Sequence, residues 1–431
     1  MLTQNVRASF DVTKSVKFLV GVWLTVAVFA PDMSAAQSSI PVRELSPPNA
    51  TSTQKFGSIL GVRELPGGDV IVNDGRRRQL LMLNSQLATQ RVLLDSVPVD
   101  GKGYGPRAAP IIAFSTDSTF FVDGASGTLL VLSPTGAVVR VASAPQPRDL
   151  RSLTSALSGT DAKGNLLYLG SGPMKSDPRA PGDLFPADSN PVVRANFESR
   201  TVDTLGRVRS RVTSRTESKK VGDTYVSTNF SNPLPVFDEW APLSDGTIAI
   251  VRGHDYHVDL IKPDGTHQVG PKLAFDWKRL SEGDKQALLD SARAVREARE
   301  KDPNATPMRA SSAALQAASQ GGPPVTKANT PQDTEREVGI AEIPDYWPPL
   351  RQGAVKADAD GNIWILPTTS AQSSNGELVY DVVNNEGVMT HRVRVPLGRS
   401  IAGFGKGGVV YLMYRDADPK VGWTFERTKI R

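Results

Sequence analysis

The chain has no cysteine in its 431 residues. That excludes a thiol nucleophile, a thiolate metal site and acylation as a bacterial lipoprotein. Large exported chains do not need disulfides, so the absence is compatible with an oxidising compartment. Histidine is scarce too, at four residues. His267 and His391 stand alone and read as surface positions, while His254 and His257 flank Asp255. Two histidines and an aspartate could ligate zinc, but no third ligand or supporting shell is visible around them. No metal is therefore expected, and His254, Asp255 and His257 are the only candidates. The chain contains no GxSxG elbow, no phosphate-binding P-loop and no HExxH helix. Asp-Gly pairs at 74–75, 123–124, 245–246 and 360–361 fall outside any calcium-loop pattern and read as turns, with Asp bonding its own backbone and Gly taking positive φ. No block of Lys and Arg interleaved with aromatics appears, and Arg76-Arg77-Arg78 sits in a turn. Nucleic-acid binding is not expected, nor is a cofactor.

What the chain does have is glycine and proline, 37 and 32 residues, and a modest net charge of +5. The first pair suggests many turns in a β-rich fold. The charge implies solubility and a mild preference for anionic partners. The amino-terminus carries Lys14 and Lys17, then the apolar run Phe18 to Ala30, then Ser34-Ala35-Ala36. A run of 13 residues is short for a bilayer-spanning helix, and the small residues fit a signal-peptidase site. The expectation is a signal peptide over residues 1–36, removed on export to the periplasm or beyond, with an uncleaved anchor as the alternative. No later segment is apolar enough to span a membrane.

A four-strand unit repeats along residues 37–431. In its first copy ILGVREL, DVIVND, LLMLN and TQRVLL are separated by Pro66-Gly67-Gly68, residues 75–78 and Ser85-Gln86. Similar units begin near Ile111, Leu153, Trp240, Gly353 and Ile401. Such a unit buries its faces only by stacking on copies of itself. The sixth copy has three strands, and Ser39 to Glu44 reads as the spare strand that completes it and closes a ring. The expected fold is thus all-β, a six-bladed β-propeller closed by an amino-terminal strand.

The order of an apolar first strand, an Asp-Gly or Pro-Gly-Gly turn and a Val-rich second strand resembles six-bladed propellers of the NHL and TolB-like type. Gly403 to Arg427 is similar to the last blade of exported bacterial propellers. The resemblance covers roughly residues 39–275 and 340–431. It implies the fold but not one activity, because such propellers include lactonases, lyases, binding modules and proteins without an assigned activity.

Two stretches interrupt the repeat. Residues 173–191 read as an irregular loop. Residues 277–344 read as a larger excursion, with a helix over Glu282 to Lys301, started by Ser281 and Asp284 and carrying Leu288, Ala292 and Val295 at helical spacing. Residues 302–335 are poor in bulky apolar side chains and read as disordered.

In a propeller the innermost strands surround a channel, and the residues entering them are candidates for a site. They are Lys55, Arg107, Arg148 and Arg151, Asp238 and Glu239, Arg351 and Gln352, and Arg399. Trp240, Tyr346 and Trp347 lie close to these places, with core packing as their alternative to ligand stacking. Converging arginines suit a carboxylate or phosphate; they could equally form an internal ion-pair network that pins the blades. Two functions follow. One is a non-catalytic, monomeric module that binds a small anionic ligand or a protein. The other is a channel hydrolase or lyase of the lactonase kind, which usually needs a metal that a ring of arginines would repel.

Overall fold

The structure is a computed structural model. It describes residues 40–97, 103–106, 110–114, 117–123, 126–146, 153, 158–170, 175–177, 180–185, 188–221, 224–301, 334–370, 376–416, 418 and 420–431. The signal-peptide expectation and most of the stretch 302–335, expected to be disordered or loosely laid on the surface, lie outside these residues; its last two residues, Thr334 and Glu335, instead belong to the strand Thr334–Glu337. Among the described residues no helix is long and apolar enough to cross a membrane.

The chain is all-β, with repeated sheets of four antiparallel strands. The first sheet runs Ile59–Glu64, Val70–Asp74, Gln79–Leu83 and Thr89–Leu94, and the second Ile111–Ala113, Thr119–Asp123, Thr128–Leu132 and Val138–Ser143. The third holds Ser158–Thr160, Leu166–Leu169, Ser189–Ala195 and Val202–Arg209. The fourth holds Glu239–Pro242, Ile248–Arg252, His257–Ile261 and His267–Val269. The fifth contains Val355–Ala357, Ile363–Ile365, Leu378–Val383 and Met389–Val395, and the sixth Arg399–Gly405, Val409–Arg415 and Trp423–Lys429.

Burial follows the position of each strand. The second strands are almost wholly buried, as in Val70–Asp74 and Ile248–Arg252, whereas fourth strands such as Thr89–Leu94 and Val138–Ser143 are largely exposed. A strand buried on both faces reads as a continuous apolar run, not an alternation. The turns repeat as well. Asp161 accepts the N–H groups of Lys163 and Asn165, and Asp358 those of Asp360 and Asn362. In both turns the Asn side chain returns to the same aspartate, at 2.8 and 2.9 Å. Gly164 and Gly361 take φ of 75° and 88° there, which only glycine adopts without strain. Of the Asp-Gly pairs, Asp245 does bond its own turn. Asp360 does not: its carboxylate accepts the N–H groups of Gly407 and Gly408 in the sixth sheet.

Adjacent sheets are stitched by buried tyrosines. Tyr104 donates to Asn73 at 2.7 Å, Tyr256 to Asp381 at 2.6 Å, and Tyr411 to Glu64 at 2.5 Å. Tyr411 belongs to the sixth sheet and Glu64 to the first, so the last bond joins the two ends of the repeat. The first strands of these two sheets also lie side by side, with Gly403 against Val62.

The amino-terminal strand departs from expectation. Val42–Glu44 runs parallel to Met389–Val395, on the outer edge of the fifth sheet. The strand that completes the sixth sheet is Ala50–Thr51, antiparallel to Trp423–Lys429. Between them Leu45 bridges Ile430 and is buried. The expected segment lies near the last strand but hands that edge to Ala50–Thr51, because Pro41 accepts the Arg392 N–H and draws 42–44 onto the neighbouring sheet. This also explains why His391, expected at the surface, is buried: the strand that carries it is no longer an edge.

The interruptions are more ordered than expected. Within 173–191, Lys175–Asp177 and Ala180–Phe185 pair as a hairpin, and Pro191 belongs to a strand of the third sheet. A three-stranded sheet of Ser214–Val221, Thr224–Ser231 and Thr334–Glu337 was not anticipated. The helix spans Glu282–Lys301 as expected, with Ser281 and Asp284 exchanging hydrogen bonds at its start. Its packed side carries Lys285, Leu288, Leu289, Ala292 and Arg296, while Val295 is exposed. Leu280, Leu289, Val338 and Ile343 form a small separate core there.

Ion pairs hold this excursion down: Arg293 and Arg296 to Glu337, Arg215 to Glu342, and Lys285 to Asp345. Burial opposes charge on Glu337, but hydrogen bonds from Arg296 and Arg293 win and lower its pKa; Arg215 does the same for Glu342. A carboxylate with a lowered folded pKa stabilises above its unfolded value, about 4.3, and that contribution is lost as pH falls through the folded value. Hydrogen exchange followed from pH 6 to pH 3 should therefore show residues 282–301 and 334–345 opening before the six four-stranded sheets. Simultaneous opening would contradict this.

Candidate functional site

The entries to the first strands are where a site was expected, and they divide into occupied and unoccupied groups. Lys55 donates to Thr424 at 2.6 Å and reaches Asp416 at 3.4 Å. Arg399 forks onto Glu426 at 2.7 and 3.2 Å and lies over the Tyr414 ring. Asp238 accepts Arg252 at 2.8 Å and the backbone N–H groups of Arg209 and Gly253. These three behave as internal pairs and have little capacity left for a ligand. Trp240 is buried among Leu167, Val192 and Ile250, so the packing reading holds for it. Trp347 packs on the helix excursion, and Tyr346 is exposed beside Trp277. Arg107, Arg148 and Arg151 lie outside the described residues.

The remaining group lies between the fourth and fifth sheets. Glu239 opens the first strand of the fourth sheet, and its carboxylate accepts the N–H of Gly353 at 3.0 Å, just before the first strand of the fifth. Lys356 sits in that neighbouring strand, and Arg211 donates to Gln352 at 3.3 Å. Burial raises the pKa of Glu239, opposed by the Gly353 N–H and by the charges of Arg211 and Lys356. Burial lowers that of Lys356, opposed by Glu239. Arg351 precedes the same strand and is exposed. None of Arg211, Arg351 and Lys356 has a carboxylate at ion-pair distance among the described residues. Two cations, Arg211 and Lys356, thus act on one carboxyl group, and Arg351 precedes Gln352, the partner of Arg211. Arg211 and Lys356 were missed from sequence because one lies outside the repeat and the other inside a strand, and only the packing of two sheets unites them.

The histidine cluster resolves differently. His257 has both ring nitrogens against carboxylates, Nδ1 to Asp255 at 3.0 Å and Nε2 to Asp259 at 3.1 Å. Asp259 continues to Arg252 at 2.7 Å and so to Asp238. His254 is exposed and stands apart. No group of three potential metal ligands occurs among the described residues. The cluster is one charge ladder across the fourth sheet.

Four-stranded antiparallel sheets repeated in this way, each stacked on the next, define the β-propeller class. No protein-family model matches the chain, and no curated protein matches it in sequence. Solved structures do. One is a catalytically inactive virginiamycin B lyase from Staphylococcus aureus with quinupristin, 10% identical over 88% of this chain and 97% of that one, TM-score 0.36. Another, from Bacteroides fragilis and described as exported, is 10% identical over 91% and 99%, TM-score 0.41. Regucalcin, a calcium-binding protein from Agrobacterium tumefaciens, is 13% identical over 91% and 97%, TM-score 0.38. Likeness at this level assigns neither ligand nor activity to the chain.

Replacing Arg399 with Ala should cost about 2 kcal/mol of stability, because Glu426, only 4% exposed, loses its fork. Denaturant unfolding measures this. A variant as stable as the parent would return Arg399 to the pool of side chains free for a ligand.

Proposed function

We propose that the six repeated sheets are the blades of one closed propeller, and that the chain is an exported module binding a small anionic ligand where the fourth and fifth inner strands begin. The observation that carries this reading is the excess of positive charge there. Arg211 and Lys356 bring positive charge to a single carboxyl group, Glu239, whose own charge burial disfavours, and Arg351 adds a further cation one residue before Gln352, the partner of Arg211. Taking an ammonium out of water without a counter-ion is costly. A bound anion would supply that counter-ion, and the Arg forks would orient it. The run Phe18 to Ala30 followed by Ser34-Ala35-Ala36 supports export.

A second reading, a channel hydrolase or lyase, is favoured by one feature. Burial pushes Glu239 up and Lys356 down, so both move toward neutrality, as in sites where an acid and a base share the work. Elemental analysis of the purified protein bears on it, since a stoichiometric calcium or zinc ion would move the assignment toward an enzyme.

The double substitution Arg351→Ala with Lys356→Met should weaken citrate binding by about tenfold or more, as expected for losing two charged partners. Its melting should stay close to the parent's, because neither side chain is in an ion pair. Calorimetric titration and a thermal melt measure both. Unchanged citrate affinity in a folded variant would contradict the proposal.

A further inference from the structure

A second site lies away from the inner strands. The end of the third sheet's outer strand, the inserted three-stranded sheet and the turn Ile340–Glu342 enclose a cavity of about 460 Å³, a size typical of small-molecule pockets. Its lining includes the apolar Phe230, Val236 and Val338. A polar wall holds Arg209 and Ser210.

Two features mark that wall as unfinished. The Oγ of Ser210 is buried and has no hydrogen-bond partner, which costs about 1–3 kcal/mol unless something fills the role. The Arg209 side chain is exposed and has no hydrogen bond or ion pair with a described residue, while its backbone pairs with Ser189 and bonds Asp238. The other cation at the cavity is already neutralised. Arg215 holds Glu342 through Nε at 3.3 Å and Nη2 at 3.1 Å, and lies 4.3 Å from the centre of the Phe230 ring. Glu342 also accepts the N–H of Gly339. The cavity lining therefore combines a guanidinium and a hydroxyl that lack partners among the described residues with apolar side chains.

We infer that this cavity binds a monocarboxylate with a compact apolar body, its carboxylate on Arg209 and Ser210 and its body against Phe230, Val236 and Val338. An Arg fork matches a carboxylate bidentately, and the Ser hydroxyl supplies a further donor. Asp188 and Glu342 also reach the wall, and their charge works against a second negative charge on the ligand. This separates the cavity from the inner-strand site, where cations dominate.

The probes are octanoate, its neutral amide and citrate, titrated by calorimetry against the full folded chain. Octanoate should bind saturably, while octanamide, and citrate titrated into the Arg351→Ala with Lys356→Met variant, should each bind at least about tenfold more weakly. Arg209→Gln should weaken octanoate by about tenfold or more. Ser210→Ala, which removes only a hydroxyl, should weaken it several-fold, and serves if Arg209→Gln does not fold. Arg351→Ala with Lys356→Met should leave octanoate affinity unchanged, so failure here and failure of the inner-strand proposal remain distinct. Absence of saturable octanoate binding, equal binding of octanamide, or full affinity in both Arg209→Gln and Ser210→Ala would overturn the assignment.

Discussion

The antiparallel pairing of Ala50–Thr51 with the last strand, Trp423–Lys429, is the contact on which the rest of the architecture depends. Each four-stranded sheet is hydrophobic on both faces and is stable only between neighbours. A row of such sheets would leave the first and last with an exposed face. Here the Tyr411–Glu64 bond and the contact of Gly403 with Val62 bring the sixth sheet onto the first. The amino-terminal segment then takes the free edge of the sixth. Phe56 and Trp423 continue the join by exchanging backbone hydrogen bonds at 2.9 and 2.8 Å. Contacts between parts of the chain so far apart in sequence are entropically costly to form.

Charge is distributed in keeping with this constraint. Where a cation can pin neighbouring strands it is used for that purpose, as with Arg399 on Glu426 and the ladder from Asp238 through Arg252 to His257. Where the cation makes no ion pair with a described residue, as at Arg209 and Lys356, it borders a cavity or an inner-strand entry. The division between structural and functional arginines is therefore a matter of available partners, not of position in the repeat.

Much of the fold was legible in the sequence, because it is written in local chemistry. Strand limits follow from Pro66-Gly67-Gly68, Asp161 to Asn165 and Asp358 to Asn362, whose turns form the same bonds in each copy. The helix limits follow from Ser281 and Asp284 reciprocally capping its start. What was not legible depends on long-range pairing. Val42–Glu44 is exposed along its whole length, so no burial pattern could say which sheet it joins. The strand Ser214–Val221, SRTESKKV, lacks the apolar alternation that announces a strand. The candidate site was half legible. Glu239 and Arg351 were marked by their place before a strand, and of the two Glu239 has Arg211 and Lys356 as neighbouring charges. Lys55, Arg399 and Asp238 were found by the same logic and turned out to be held by Asp416, Glu426 and Arg252. No rule of spacing distinguishes these outcomes, because the deciding acids lie on other strands.

The absence of cysteine makes closure directly measurable, since any thiol in a variant is an introduced one. Ala50 and Arg427 are opposed across the antiparallel pair, where Cα atoms lie about 4.5–5.5 Å apart, within disulfide reach. In the variant Ala50→Cys with Arg427→Cys, mild oxidation of the folded protein should give near-complete internal cross-linking, seen as a faster, reductant-reversible band on a denaturing gel. A folded double variant that stays uncross-linked, or links only between molecules, would show that the chain ends do not meet.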